Sequence, residues 1–112
     1  MPRREWRFRV DDILGALARI QSYTAGMTRD AFLADSKTVD AVVRNLITIG
    51  EAASRIPEEI VTVNPHVPWN DMRDLRNFVV HEYFGISDDV IWETVQNDLP
   101  KLPAQLQSIS FT

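Results

Sequence analysis

Cysteine is absent, so neither disulfides nor thiolate chemistry can contribute, which fits a reducing compartment. Histidine is scarce: His66 and His81 are the two in the chain, too few without cysteine to build a structural zinc site, and no metal or cofactor is expected. No run of about 18 apolar residues is available to span a bilayer. No Gly-rich phosphate loop, internal repeat, low-complexity tract or sustained strand-like alternation occurs. The first residues, MPRREWRFRV, are basic but precede neither a continuous apolar segment nor a small-residue cleavage site. A secretory signal is therefore not expected, and the chain is assigned to the cytoplasm without membrane association.

Positive charge is also in short supply. The net charge of -4 argues against binding nucleic acid through a generally basic surface. Arg3, Arg4, Arg7 and Arg9 stand against Glu5 at the start, and taking these from the totals of 12 basic and 16 acidic residues leaves 8 against 15. Any contact with a polyanion must therefore be local, and the basic start reads as a solvated arm or first helical turn. A length of 112 residues suits one domain, taken as residues 1–112, that can bury about two-thirds of the surface its unfolded chain exposes.

What is present is helical periodicity. Val10, Ile13, Leu14, Leu17 and Ile20 recur at steps of three and four, predicting a helix from Glu5 to Ala25 that ends at Gly26. Thr28 can cap a short helical piece, and Ser36 can cap a second long helix. That helix carries Val39, Val42, Val43, Leu46, Ile49, Ala53 and Ile56 on one stripe. PEEIVTVNPHVPW, with Pro57, Pro65 and Pro68, predicts a brief helical turn and then an extended connection. A third helix is expected from Trp69 to Phe84 with Gly85 as its stop, and a last one from Ser87 through Trp92 and Val95, interrupted by Pro100 and Pro103. Four main helices with short connectors predict an all-α, antiparallel bundle. Trp6, Trp69 and Trp92 read as packing anchors, and His66, between two prolines, as a loop residue.

The third helix holds RNFVVHEY, residues 76–83, where arginine, asparagine, histidine and tyrosine interleave with apolar residues. At about 100° per residue, Met72, Leu75 and Val79 fall on one side as core contacts. Arg73, Arg76, Asn77, Val80, His81, Tyr83 and Phe84 spread over a wide arc on the other. Val80 and Phe84 within that arc suggest a surface buried against something else. Arg76 and His81 diverge by more than a third of a turn, so a second copy of the helix across a twofold axis would help assemble a compact cluster. Spacing alone is weak, because Arg44 and Asn45 repeat the Arg-Asn pair with no histidine or tyrosine following. For Asn77, capping or surface placement competes with a functional role; for Tyr83, a packed aromatic does. Arg73 can extend an anion groove or make a surface salt bridge with Asp71 or Asp74.

RNFVVHEYFGI resembles the HepT-like group of the HEPN superfamily, whose pattern is arginine, four residues, histidine, any residue, tyrosine. IGEAASRIP, HVPWNDMRDLRN and IWETVQNDLPKL agree with the same group, so the resemblance covers about residues 8 to 107. It implies a HEPN-like bundle of four to five helices, dimerised symmetrically through the motif helices by Val80 and Phe84. The implied activity is that of a metal-independent endoribonuclease toxin acting on RNA. The implied partner is a minimal nucleotidyltransferase antitoxin, encoded nearby, that silences the toxin by AMP transfer to the motif tyrosine. Carried onto this chain, Arg76 and His81 are catalytic with Asn77 assisting, Tyr83 is the AMPylation site, and Glu51 faces the groove. The residue types suit the chemistry, since histidine titrates near neutral pH and arginine stays charged beside a phosphate. A non-catalytic helical subunit presenting a nucleotide or substrate to a nucleotidyltransferase would use the same helix and the same dimer.

Overall fold

The stepped apolar residues of the first segment become the inner face of helix α1, Glu5–Thr24. The computed structural model describes residues 5–83 and 88–109, with the side chains of all of these except 80–83. Gly26, at φ +75°, turns the chain out of α1 in a conformation that suits glycine. Thr28 caps α2, Arg29–Leu33, its hydroxyl accepting from the Ala31 amide at 3.1 Å.

The cap of the next helix differs from expectation. Ser36 is the first residue of α3, Ser36–Ser54, and Asp35 is its N-cap. The Asp35 carboxylate accepts from the Thr38 amide at 3.1 Å and the Thr38 hydroxyl at 2.8 Å. A carboxylate that takes two bonds at the positive helix end outcompetes a neighbouring serine hydroxyl. The Thr38 side-chain bond, then its backbone bond, holds the Asp35 carboxyl below its ordinary pKa.

After α4, Glu58–Val63, the connection expected to be extended is a folded turn. The Val67 amide reaches the Asn64 carbonyl at 3.2 Å, and the Trp69 indole donates to that same carbonyl at 3.0 Å. Asn64 is fully buried, with its side-chain amide donating to the Ile60 carbonyl at 2.9 Å. These bonds fold back a segment that its prolines alone would leave extended. Helix α5, Trp69–Tyr83, follows.

The last helix is three pieces. Helix α6, Asp89–Glu93, runs into a π-helical stretch, Thr94–Asp98, closed by the Leu99 amide on the Thr94 carbonyl at 3.2 Å, and α7 spans Leu102–Gln107. Pro100 cannot donate a backbone hydrogen bond and lies in the break between the π-helical stretch and α7. Pro103, expected to interrupt the helix as well, sits instead in the first turn of α7, where an amide has no helical partner to lose. Ser87 and Gly85, the expected cap and stop, lie outside the described residues. Among the described residues there is no strand, and no helix is long and apolar enough to cross a membrane.

Helix α3 lies between α1 and α5 and is the centre of this all-α bundle. Its whole predicted stripe is buried, with Val42, Leu46, Ile49 and Ala53 at 0% exposure. Ile13 and Ala16 of α1 and Met72 and Val79 of α5 close over it, while Leu75 is only partly buried. Trp6 and Trp69 are buried as expected, and the Trp92 ring packs on fully buried Phe32, centroids 5.1 Å apart. An ion pair between Arg29 and Asp89 joins α2 to α6. His66 is exposed, with Nε2 2.8 Å from the Ser108 hydroxyl.

Because Leu46 is enclosed at the middle of α3, Leu46→Ala should destabilise the fold by about 2–5 kcal/mol. Phe8, 62% exposed, should tolerate Phe8→Ala within about 0.5 kcal/mol. Urea denaturation of the two variants checks the contrast.

Candidate active site

The site is built where α3 and α5 cross. A Cβ placed on Gly50 would meet the Arg76 amide nitrogen at 2.8 Å, the Arg76 Cβ at 3.0 Å and the Arg73 carbonyl at 3.4 Å. A side chain at position 50 would therefore force the two backbones apart, and glycine in a helix interior is the solution despite its cost in helix propensity. Gly50 faces Arg76 while Ala53 receives a bond from Arg73, so the contacts run in opposite directions and the two helices are antiparallel.

Close approach at Gly50 brings Glu51, the next residue of α3, to the rim of the crossing. Its Oε1 lies 2.6 Å from Arg76 Nε, with the two side chains 43% and 58% exposed. Glu51 and Arg76, expected to share a groove, are brought together directly. Exposure means that water screens the pair, so its contribution to stability is small.

Arg73 is directed elsewhere. Its Nε donates to the Ala53 carbonyl at 3.1 Å and its Nη2 to the Ile56 carbonyl at 3.4 Å, with Glu58 Oε1 3.2 Å from Nη2. These carbonyls lie in the last turn of α3 and just beyond it, where a cation is favoured by the helix dipole. Its ion-pair partner is therefore Glu58 of α4, rather than Asp71 or Asp74. Arg73 joins the α3–α4 corner to α5 one turn before Arg76.

Asn77 is exposed on α5. Its look-alike on α3 behaves differently: Asn45 is buried, accepts from Arg19 Nε at 2.8 Å and donates to the Ala41 carbonyl at 2.8 Å. Asn45 of the second Arg-Asn pair thus serves the contact between α1 and α3, while Arg44 is exposed. The α5 backbone continues as helix through His81 to Tyr83, so the motif spacing falls on one unbroken helix. The side chains of Val80, His81 and Tyr83, and Phe84 entirely, lie outside the described residues.

A cleft of about 430 Å³ lies on another face of α5, between it and the C-terminal segments. Leu75 and Phe78 form its apolar wall, with Asp71, Asp74 and Asp98 facing one lysine, Lys101. That charge balance disfavours a phosphate chain there. Among the described residues no group of three histidine or carboxylate side chains is placed to hold a metal ion.

Sequence reasoning did not single out Gly50. Its signal was present as an isolated glycine within an otherwise apolar helical stripe, LITIGEAA, which marks a helix that another backbone approaches closely.

Comparison with known proteins follows the same segment and most of the chain. The family model described as "Ribonuclease HepT-like" matches residues 13–109. A protein of Methanocaldococcus jannaschii named "Putative RNase MJ0127" is 40% identical over 109 residues, covering 97% of this chain and 90% of that one. "Probable ribonuclease HepT" of Thermococcus cleftensis is 36% identical over 100 residues, covering 89% and 91%. "Putative RNase TTE0752" of Caldanaerobacter subterraneus subsp. tengcongensis is 36% identical over 84 residues, 75% of each chain. No solved structure matches.

The crossing makes a sign-dependent prediction for Gly50→Ala. An ordinary helical glycine gains about 1 kcal/mol of stability on becoming alanine. Here the new methyl meets the α5 backbone, so overpacking should instead cost about 1–3 kcal/mol. Thermal denaturation should show a lowered midpoint; a raised one would mean that the helices are not held this close.

Proposed function

The chain belongs to the ribonuclease HepT-like family, and from that premise we propose that it is a metal-independent endoribonuclease toxin whose catalytic residues are Arg76 and His81. The observation that carries this proposal is Arg76 itself: a guanidinium on the motif helix, more than half exposed, set beside the one close crossing of α3 and α5. The fixed charge of arginine suits a phosphodiester whose oxygens gain charge as the reaction proceeds.

In the proposed reaction the 2'-hydroxyl oxygen of one nucleotide attacks the adjacent phosphorus. His81 accepts the 2'-proton as general base. The bond from phosphorus to the 5'-oxygen breaks, and that oxygen leaves with a proton from the imidazolium of a second copy of His81 across a twofold axis. Arg76 stabilises the charge on the non-bridging oxygens, and Asn77 orients a phosphate oxygen or the imidazole. The products are a 2',3'-cyclic phosphate and a 5'-hydroxyl. Val80 and Phe84 supply the apolar contacts between the two copies.

Silencing is assigned to Tyr83. A minimal nucleotidyltransferase partner would transfer AMP from ATP to its hydroxyl, releasing pyrophosphate. The added phosphate would pair with Arg76 and occupy the place of the RNA backbone. A tyrosine hydroxyl, with an ordinary pKa of about 10, is poorly suited to acid–base work at neutral pH. That mismatch favours the role of a switch over that of a catalyst.

Purified protein should cleave total RNA in the presence of EDTA, and its expression alone should arrest growth. Arg76→Ala and His81→Ala should each lose about 100-fold or more in rate. Tyr83→Phe should keep most of the activity and become insensitive to the partner enzyme, with AMP increments on the wild-type Tyr83 peptide by mass spectrometry. Loss of cleavage in EDTA with recovery in magnesium would contradict the mechanism. Binding without cleavage would instead indicate a non-catalytic presenting subunit.

A further inference from the structure

Both ends of the Arg76 side chain are constrained by α3. At the backbone end, the position of Gly50 against the Arg76 amide and Cβ fixes where the side chain starts. At the far end, Glu51 Oε1 sits 2.6 Å from Nε. The neighbouring arginine does not compete for that carboxylate, because Arg73 is held by Ala53, Ile56 and Glu58.

We propose that Glu51 is a positioning residue that holds Arg76 by its Nε edge so that the paired Nη nitrogens are presented to the phosphate of RNA. This rests on the assignment of Arg76 to RNA cleavage above. A guanidinium is a planar fork with two edges that can each accept an oxyanion, and the edge formed by the two Nη nitrogens gives the bidentate grip on a phosphate. An exposed arginine without a partner samples many rotamers and must surrender them when it meets its ligand. Engagement of Nε by Glu51 removes much of that search in advance and leaves the Nη edge turned away from the carboxylate.

The opposite role, a carboxylate that competes with the phosphate and keeps the site closed, is disfavoured by the same geometry. Glu51 meets Nε at 2.6 Å, so a phosphate can take the edge formed by the two Nη nitrogens without the ion pair being broken. Orientation matters most when charge has built up on the phosphate, so Glu51 acts chiefly on the chemical step.

The test uses full-length protein and a short fluorogenic RNA carrying a site mapped from wild-type cleavage of total RNA. Glu51→Ala should lower kcat by about 10- to 100-fold, with KM within about twofold. Glu51→Gln keeps Oε1 as an acceptor for Nε and should recover kcat to within about threefold of the wild type. Glu51 is a half-exposed helix residue, so both variants should keep the wild-type melting temperature; if the alanine variant does not, the glutamine variant decides by its kcat. Glu51→Ala that cleaves as fast as the wild type or faster overturns the proposal, as does glutamine no better than alanine, or a loss confined to KM. Those results leave the ribonuclease assignment standing, because Arg76→Ala would still be inactive. If the wild type fails to cleave, or Arg76→Ala cleaves as well as the wild type, the ribonuclease assignment fails and the proposal with it.

Discussion

The contact on which the candidate site depends is the approach of two backbones at Gly50. Helix packing in a small bundle is normally set by side chains of several ångströms' depth, which leaves the distance between helices adjustable. Here the amide of Arg76 occupies the space that a Cβ of residue 50 would need. The packing of α3, buried along its whole stripe, is therefore transmitted to Arg76 without an intervening side chain. Nearby, Arg73 bonds the Ala53 carbonyl in the last turn of α3 and the Ile56 carbonyl just beyond it, so the register of α5 against α3 is held at two points one turn apart.

The charge pattern solves a problem that the composition poses. A chain of net charge -4 cannot attract a polyanion by its overall field. Its acidic residues are used locally, with Glu58 against Arg73 and Glu51 against Arg76, each arginine having its own carboxylate. Only the second arginine is more than half exposed. In the proposed function such an exposed guanidinium would act on one phosphodiester and not on a long stretch of backbone, because screening confines its influence to about 10 Å.

The helices themselves were legible because their apolar residues repeat at three and four. The α1 and α3 stripes followed from that pattern, and the cap at Thr28 and the turn at Gly26 from the residue types that helix ends favour. What was not legible depends on contacts between distant segments. Asp35 displaces Ser36 as the cap because its carboxylate meets Thr38, and the loop before α5 folds because Trp69 reaches back to Asn64. The final helix breaks into α6, a π-helical stretch and α7, where the prolines gave warning of interruption but not of its form. In the site, the Arg-Asn pair by itself did not show what Asn45 does; the part-buried bond from Arg19 does. The roles assigned to His81 and Tyr83 came from the family pattern, since one helix cannot by itself show what its side chains meet.

The chemistry of the cut ends tests the central claim most directly. Transfer to the neighbouring 2'-oxygen, with histidine moving the proton and Arg76 carrying the phosphate charge, leaves a 2',3'-cyclic phosphate on one fragment and a 5'-hydroxyl on the other. RNA cut by the purified protein in EDTA should therefore resist end-labelling that requires a free 3'-hydroxyl and accept a 5'-phosphate from a polynucleotide kinase without prior dephosphorylation. Fragments that carry 3'-hydroxyl and 5'-phosphate ends would show that water, not the 2'-oxygen, attacks phosphorus, and would contradict the assignment of Arg76 and His81.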